Sequence, residues 1–441
     1  MTRSYSLTIC IAVVVLSQLG VTPATPSPAI RLVPIAKGWA RNQINAAIFR
    51  RNSVTTFGDL QYVAFYDSDA RVILAQRKLA SSQWKIHQTQ YTGDTQDAHK
   101  SISIAVDGDG FLHLAWNAHN TRLQYCRSIK PGSLELSDQM PMLGAREDRV
   151  TYPEFYSLPG GDILFLYRDG ASGNGNLMLN RYNLKTNKWT QLQDTLISGE
   201  GQRNAYWQMA TDPKGVIHLS WVWRETPDVA SNHDLCYAKS TDGGVTWQKS
   251  SGEKYQLPIT SKSAEYVIRI PQGSELINQT SMCADAQGKP YIATYWRPQG
   301  TKVPQYHVLY HDGTQWRTSQ VTHRLTPFSL SGGGTRRIPI SRPQIVARTT
   351  GVKSAVVVIF RDSERGNRVS VTMCSDLGNG KWSISDLTNE SVGMWEPTYD
   401  PVVWSKKKEL HLFVQMVGQG DGERLEDIPP QMISILEWKP I

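Results

Sequence analysis

Apolar and polar residues alternate in short runs along almost the whole chain, and the clearest example spans residues 95–182. Two copies of one unit follow each other there. Each copy has an alternating segment, a glycine-rich turn, a second apolar segment that ends in a polar residue, a loop and a third apolar segment. Alternation over about four to eight residues predicts β-strands, and we find no long run with the helical period. The pattern therefore predicts an all-β protein.

The same unit recurs along the 441 residues of the chain. The distance from Trp84 to Trp189 corresponds to two units, each of about the length of a propeller blade. A tryptophan after a turn marks the predicted fourth strand in five units, at Trp84, Trp189, Trp247, Trp316 and Trp382. Second strands are recognisable in seven places: LQYVAFYD, FLHLAWNAH, DILFLYRD, GVIHLSWVWR, PYIATYWR, SAVVVIFRD and ELHLFVQ.

The last unit has three predicted strands, EPTYDPVVW, ELHLFVQMV and QMISILEW, and so lacks one. The N-terminal segment IRLVPI reads as a strand without a partner of its own. Pairing the two closes the ring and hides the edge strands that would otherwise be exposed. We therefore predict a seven-bladed β-propeller, formed as a single domain by residues 26–441 and closed by the N-terminal strand.

Residues 1–25 read as a secretory signal, with Arg3 ahead of the apolar run LTICIAVVVLSQLG and small residues near Ala24. The apolar run is too short for a comfortable membrane span. We therefore expect a secreted or periplasmic protein without a membrane span. Cysteines at equivalent places in different blades lie far apart, which predicts buried free thiols and no disulfides. The cysteines that follow the signal are Cys126, Cys236, Cys283 and Cys374.

The chain carries a formal net charge of +8 and has a pI of about 9.1. Such a charge is compatible with an acidic partner, or with a basic surface that only contacts water. No run of five lysines or arginines is present, so we do not expect nucleic-acid binding. We expect a monomer whose partner is an anionic polysaccharide.

The polar residues of the repeats fall in register. His99 and Tyr152 open first strands, whereas His119 and Arg168 close second strands. Odd and even strands of an up-and-down sheet run in opposite directions, so these four side chains are predicted to meet at one rim. Arginines that end other second strands can bind carboxylates or sulfates in bidentate geometry, or they can pack on the aromatic residue before them. These arginines are Arg224, Arg297 and Arg361.

Histidine, tyrosine and arginine together suit the removal of a proton next to a carboxylate. The reaction needs a cation for the charge that develops on the carboxylate, a base for the proton and an acid for the leaving oxygen. Arg168 fits the first role, His99 the second, and His99 or Tyr152 the third. Glycoside hydrolysis requires paired carboxylates, which the register positions lack. The set therefore predicts β-elimination on a uronate-containing polysaccharide.

The segment Ser240–Trp247 spells S-x-D-x-G-x-T-W, and it resembles the Asp box of sialidase-like propellers. This box is a turn motif and indicates fold only. The segments DAHKSISIAVDGDGFLHLAWNAH, TYPEFYSLPGGDILFLYRDGASGNG, NHDLCYAKSTDGGVTW and ISRPQIV resemble the BNR-4 repeat family. That family includes seven-bladed ulvan lyases and rhamnose–glucuronate lyases, and the resemblance covers most of residues 40–440.

The resemblance implies cleavage of rhamnose–glucuronate linkages by β-elimination. It implies that His99 is the catalytic base or acid, that His119 supports it, and that Tyr152 is the active-site tyrosine. It further implies that Arg168 neutralises the carboxylate and that Tyr206 contacts the substrate. With Arg224, Arg297 and Arg361, Tyr206 completes the substrate-binding set that we expect.

No cofactor is expected for this chemistry. Some relatives bind a metal in the propeller, and His233 with Cys283 or His311 is a candidate for a structural zinc or calcium ion. Two other functions remain open from the sequence. A sialidase-like hydrolase would need three converging arginines and a Tyr–Glu pair, and a glycan-binding propeller would need no catalytic group.

Overall fold

The computed structural model describes residues 1–2, 30–49, 53–351 and 353–440. These residues form seven antiparallel sheets, which are the blades of a β-propeller. First strands of neighbouring blades contact each other around the axis. The all-β class and the seven blades are therefore confirmed. The predicted signal sequence, except for its first two residues, lies outside the described residues, as does Cys10.

The strands are numbered in chain order. Blade 1 contains β2 (Val54–Phe57), β3 (Leu60–Tyr66), β4 (Arg71–Lys78) and β5 (Lys85–Thr92). Blade 2 contains β6 (Ile102–Val106), β7 (Leu112–Trp116) and β9 (Gln124–Arg127). Blade 3 contains β10 (Val150–Ser157), β11 (Ile163–Ala171), β12 (Asn174–Asn183) and β13 (Lys188–Ile197), with β8 (His119–Thr121) added beside β10.

Blade 4 contains β14 (Asn204–Thr211), β15 (Ile217–Arg224), β16 (Asn232–Ser240) and β17 (Glu265–Ile268). Blade 5 contains β18 (Ser281–Ala284), β19 (Pro290–Trp296), β20 (Gln305–His311) and β21 (Trp316–Gln320). Blade 6 contains β22 (Gln344–Thr350), β23 (Lys353–Phe360), β24 (Ser370–Cys374) and β25 (Ser383–Asp386). Blade 7 contains β26 (Leu410–Gln415), β27 (Gln431–Trp438) and β1 (Arg31–Gly38).

The helices are short. The α-helix α1 spans Pro401–Lys407, and single 3₁₀ turns lie at Gln43–Asn45, Val229–Ser231, Ser363–Arg365, Leu377–Asn379 and Asp421–Glu423. Among the residues that the structure describes, no helix is both long enough and apolar enough to cross a lipid bilayer.

The N-terminal strand closes the ring as predicted. β1 pairs antiparallel with β27, in a register that runs from Arg31 opposite Glu437 to Gly38 opposite Gln431. β1 thus takes the outer position of blade 7, and the first and last parts of the chain share one sheet. This pairing satisfies backbone groups of both strands that would otherwise form an open edge.

Blade 7 departs from the prediction at its inner position. The segment EPTYDPVVW was expected to be a strand, but it makes one bridge, between Tyr399 and Leu412, and then enters α1. Asp400 is the N-cap of α1, since its carboxylate accepts the backbone N–H groups of Val402 and Val403. Pro401 follows at the first helical position. An Asp-Pro pair of this kind starts a helix, and it overrides the alternation of the segment.

The Asp box is a turn between β16 and a bridge at Gln248, so the prediction of a fourth strand at Trp247 was wrong. Asp242 accepts hydrogen bonds from the Ser240 hydroxyl at 2.8 Å and from the Thr246 hydroxyl at 2.6 Å. The indole of Trp247 is buried and donates to the carbonyl of Gly244 at 3.0 Å. The fourth strand of the blade, β17, comes only after an insertion.

Replacing Asp242 with alanine should lower the free energy of unfolding by about 1–2 kcal/mol, because the turn loses its shared acceptor. Denaturation with urea measures this change. Asp59→Ala is the control, since Asp59 is exposed in the β2–β3 turn and its side chain has no hydrogen bond in the described part of the chain. Equal stability of the two variants would contradict this role of the box.

Apolar side chains fill the spaces between blades. The largest cluster joins blades 3, 4 and 5, and it contains the buried indoles of Trp207, Trp221, Trp223 and Trp247. Four cysteines are buried and free, which confirms the prediction of unpaired thiols: Cys126, Cys236, Cys283 and Cys374.

Candidate active site

A cavity of about 160 Å³ opens at the end of the axis where the first strands begin. Its wall includes two imidazoles, two phenols and a guanidinium group. These groups belong to His99, His119, Tyr152, Tyr206 and Arg224. The structure therefore brings five of the predicted site residues to one place.

Strand pairing produces this convergence. Thr151 of β10 lies opposite His119 of β8 on one side and opposite Arg168 of β11 on the other. The polar ends of two successive repeats thus flank the start of β10, in the register that the sequence predicted. Tyr152 is the next residue along β10.

The backbone at Tyr152 has an unusual conformation. Its φ angle is 55°, and the pairing register of β10 with β11 shifts between Thr151 and Glu154. A bulge of this kind re-aims a side chain, and a left-handed φ at an aromatic residue costs on the order of 1–3 kcal/mol. The phenol of Tyr152 is 3% exposed and lines the cavity. Burial raises the pKa of this phenol, so Tyr152 stays a neutral hydrogen-bond donor.

Asp97 joins the two histidines. Its two oxygens lie 2.7 Å from Nδ1 of His99 and 2.6 Å from Nδ1 of His119. The imidazole rings stack with their centroids 4.2 Å apart. This pairing fixes both rings through Nδ1, and neither Nε2 has a hydrogen bond within the described residues. Each Nε2 is therefore free to exchange a proton.

Glu423 is a second carboxylate beside His99, 3.2 Å from the same Nδ1. The backbone N–H groups of Ala98 and Thr335 hold it, at 3.0 and 2.6 Å. Burial opposes the charged form of His99, but hydrogen bonds to Asp97 and Glu423 outweigh burial and raise its pKa to about 9. Burial raises the pKa of Glu423, but the hydrogen bond and the charge of His99 outweigh burial and lower the pKa of Glu423 to about 2.

The pKa of His119 moves the other way. Burial lowers it, the hydrogen bond to Asp97 compensates only in part, and the positive charge of His99 lowers it further. The side chain of His119 remains 30% exposed. At neutral pH the pair therefore consists of a protonated His99 and a neutral His119, which are an acid and a base beside each other.

Arg168 lies behind the cavity wall. It is 1% exposed, and its Cζ lies 5.4 Å from the ring centroid of Tyr152 and 5.6 Å from that of Tyr206. Its Nε donates to the carbonyl of Gly170 at 3.1 Å, whereas Nη1 is buried without a hydrogen bond in the described part of the chain. A Cβ at Gly175 would come within 2.8 Å of Arg168 Cγ, so this turn needs glycine.

Tyr206 lies between two guanidinium groups. Its hydroxyl accepts from Arg224 Nη1 at 3.3 Å and lies 3.1 Å from the hydroxyl of Ser172. Burial raises the pKa of Tyr206, but the charges of Arg224 and Arg168 outweigh burial and lower it to about 7. Neither arginine forms an ion pair with a carboxylate among the described residues. The carboxylates described at the site, those of Asp97 and Glu423, bond to the histidines and not to these two arginines.

Two arginines expected at the rim lie elsewhere. Arg297 is held by Glu275 at 2.5 Å and by the carbonyl of Gly273 at 2.7 Å. Arg361 is 1% exposed, and its guanidinium donates to backbone carbonyls, one of them that of Trp395. Neither side chain lines the cavity, so their expected contact with substrate is not supported. Their hydrogen-bonding capacity is used within the fold.

His233 does not gather the ligands of a metal site. Its Nε2 lies 2.8 Å from Glu225 and its Nδ1 lies 3.1 Å from Asp234. Neither Cys283 nor His311 joins it in a metal-ligating group within the described residues. In the described part of the chain, the residues that come together like metal ligands are Asp97, His99 and His119. Their three ligand atoms lie within 4.8 Å of one another. The hydrogen bonds of Asp97 to both rings account for that closeness.

Three residues at the site, two of them in the cavity wall, were missed by the sequence reasoning. Phe49 stacks on His99 with centroids 5.7 Å apart and 4° between the planes. Arg342 lines the cavity and pairs with the buried Glu396, whose carboxylate Oε2 lies 2.6 Å from Nη2. The third is Glu423. Phe49 and Arg342 come from connections between blades, and Glu423 comes from the β26–β27 connection within blade 7, so no repeat register marks them.

A family model for BNR repeat-containing family members matches residues 60–324. The chain belongs to this family. Curated proteins similar to it include the short isoform of ulvan lyase from Alteromonas sp. (strain LOR), 26% identical over 193 residues. That match covers 39% of this chain and 34% of the relative. The long isoform from Alteromonas sp is 20% identical over 294 residues, which cover 53% of this chain and 29% of the relative.

The chain thus spans about a third of the length of the curated relatives it matches. Solved structures similar to this family member include the polysaccharide lyase Uly1, with a TM-score of 0.69 and 14% identity over 93% of this chain and 99% of that one. A PL25 ulvan lyase bound to -[GlcA(1-4)Rha3S]- has a TM-score of 0.66 and 14% identity over 92% and 95%. These structures share the seven-bladed fold.

Proposed function

We propose that the protein is a secreted polysaccharide lyase that cleaves uronate-containing glycans of the ulvan or rhamnose–glucuronate type by β-elimination. The observation that carries the proposal is the pair of stacked histidines joined by Asp97, beside two arginines, Arg168 and Arg224, that have no carboxylate partner in the described part of the chain. An anionic sugar compensates that positive charge. The ulvan lyases that resemble this chain support the choice of substrate class.

In the proposed reaction, Nε2 of the neutral His119 accepts the proton next to the uronate carboxylate. The electron pair of that C–H bond forms a carbon–carbon double bond, and the bond to the glycosidic oxygen breaks. The protonated His99 donates its proton to this oxygen. The products are an unsaturated uronate and a new hydroxyl end. This division of roles makes His119 the base, whereas the family resemblance gave that role to His99.

Positive charge lowers the barrier by stabilising the carboxylate as negative charge develops on it. Arg224 lines the cavity, and Arg168 acts from behind the rings of Tyr152 and Tyr206. The neutral phenol of Tyr152 donates a hydrogen bond to the substrate. Arg168 therefore contributes its charge through the two phenols, without direct contact with the sugar.

A sialidase-like site would need a Tyr–Glu pair beside these arginines. The hydroxyl of Tyr156 does donate to Glu154. Tyr156, however, lies at the other end of β10 and lines a different cavity. The observations at the histidine cavity favour elimination over hydrolysis.

The test is the appearance of the ultraviolet absorbance of an unsaturated uronate when purified protein is added to ulvan or another glucuronate-containing glycan. Mass spectrometry should show products that together have the mass of the substrate, without added water. A sulfated glycan without uronate is the negative control. Products whose combined mass exceeds that of the substrate by one water, or no products across a panel of acidic glycans, would reject the proposal.

We propose that this chemistry needs no metal ion, because the side chains supply base, acid and positive charge. Dialysis against EDTA should therefore leave turnover within about twofold of its initial value. Elemental analysis of the dialysed protein verifies that calcium and zinc have been removed. Loss of turnover that calcium or zinc restores would contradict this point.

The pH dependence should follow the two histidines. Turnover should rise as His119 loses its proton on the acid side and fall as His99 loses its proton near pH 9. Glu423→Gln removes a carboxylate that raises the pKa of His99, so the alkaline limb should move to lower pH. The control is Glu426→Gln on the same loop, because Glu426 pairs with Arg337. An alkaline limb that stays in place in Glu423→Gln would contradict the assignment.

A further inference from the structure

The opposite end of the propeller axis contains a second, larger cavity of about 530 Å³. It lies where the first strands end. Tyr152 lines the histidine cavity, and Tyr156, four positions further along β10, lines the second cavity. The second cavity is thus distinct from the histidine site, and its volume is in the range of small-molecule sites, about 300–1,000 Å³.

Helix α1 forms one wall of this cavity in place of the missing inner strand of blade 7. The helix and the residue after it bring Trp404, Lys406 and Lys408 to the wall, within the sequence WSKKK. The Nζ of Lys408 lies 5.6 Å from the ring centroid of Trp404. The departure of blade 7 from the repeat therefore adds an indole and two ammonium groups to this mouth.

Three cations line the cavity: Arg348, Lys406 and Lys408. None of them forms an ion pair within the described residues. Lys408 Nζ donates a hydrogen bond to the carbonyl of Ser405 at 3.1 Å. Burial lowers the pKa of Lys408. A partly buried cation without a carboxylate gains most from an anionic ligand.

The acidic residues of the wall, Asp212 and Asp285, form no ion pair with these cations. Asp285 accepts the backbone N–H groups of Gln287 and Lys289 at 2.9 and 3.0 Å, and the hydroxyl of Tyr291 at 2.9 Å. Asp212 similarly accepts backbone N–H groups of its own turn at 2.8 and 2.9 Å. Hydrogen bonds from the turns thus engage Asp285 and Oδ1 of Asp212, and neither carboxylate pairs with one of the three cations.

We propose that this second cavity binds a small anionic sugar, one or two rings in size. The cations bind its carboxylate or sulfate, the indole of Trp404 offers an apolar face to the ring, and hydroxyl groups of the wall bind the sugar hydroxyls. The hydroxyl of Thr211 is buried there and has no hydrogen bond within the described residues. The proposal does not depend on the lyase activity, because it concerns binding at the other end of the axis.

The test is the stoichiometry of glucuronate binding, measured by calorimetry and by ligand-observed NMR. Arg348→Glu/Lys406→Glu should bind one glucuronate fewer than the wild-type protein. Glucose should not bind to the second cavity, and glucose 6-sulfate distinguishes a general anion site from a carboxylate site. The affinity at the second cavity should fall at least about tenfold in the variant, which corresponds to one charge-assisted hydrogen bond.

The control is Lys185→Glu, which changes an exposed lysine between β12 and β13 and should leave both sites intact. If the double variant does not fold, Arg348→Gln/Lys406→Gln removes the charges with less repulsion. Equal stoichiometry and affinity for glucuronate in the wild-type protein and in a folded double variant would overturn the proposal. The double variant should retain lyase turnover, so failure of this site and failure of the lyase proposal are separate results.

Discussion

Replacing His99 with alanine should reduce lyase turnover by about 10²–10⁴-fold, the usual contribution of a general acid. The leaving oxygen then has no proton donor, and the neutral His119 loses its stacked neighbour. Because Asp97 and Glu423 both bond to His99, the variant also leaves two carboxylates without their shared cation. Part of the lost activity will therefore result from a smaller folded fraction, and the experiment has to separate this effect from the loss of the proton donor.

His99→Gln makes that separation, because its amide still donates to Asp97 but transfers no proton. This variant should regain much of the melting temperature of the parent protein and none of its turnover. The matched control is His323→Ala, since His323 is exposed and lies outside the cavity. Rates are measured from unsaturated-uronate absorbance per folded molecule. Turnover in His99→Gln above about a tenth of the wild-type value would remove His99 from the reaction.

The fold was predictable because the signal for it is repeated. Seven alternating units with glycine turns determine the blades, and the unpaired N-terminal strand determines ring closure. The prediction of an inner strand in blade 7 was wrong. The segment EPTYDPVVW alternates like a strand, but its Asp-Pro pair starts a helix. Local capping thus outweighed periodicity at one place in the chain.

The site was predictable only where the repeat register reaches it. His119 and Arg168 flank Thr151 as expected, because register determines the end of the sheet at which a residue lies. Register does not determine which acceptors a guanidinium group binds. Arg361 was therefore expected at the rim, but its guanidinium donates to backbone carbonyls. Glu423 arrives from a loop near the other end of the chain, and no local pattern indicates its contact with His99.

Arg168→Gln should lower kcat/KM by about 10²–10³-fold, the usual loss when a preorganised charge is removed from a developing anion. Arg168 does not line the cavity, so the effect should fall mainly on kcat. The pKa of Tyr206 should rise above its value of about 7, because one of the two cations that lower it is gone. An ultraviolet difference titration measures this rise, with Tyr206→Phe identifying the signal.

Arg361→Gln is a matched control, because Arg361 ends the second strand of another blade and is equally buried at 1% exposure. Its guanidinium donates to the carbonyls of Trp395, Pro339 and Ile338. Losing these bonds should destabilise the protein by about 2–3 kcal/mol while the folded fraction keeps its turnover. Arg168→Gln should show the reverse pattern, with a large loss of rate and a smaller loss of stability. Equal losses of rate in the two variants would mean that Arg168 contributes to the fold alone.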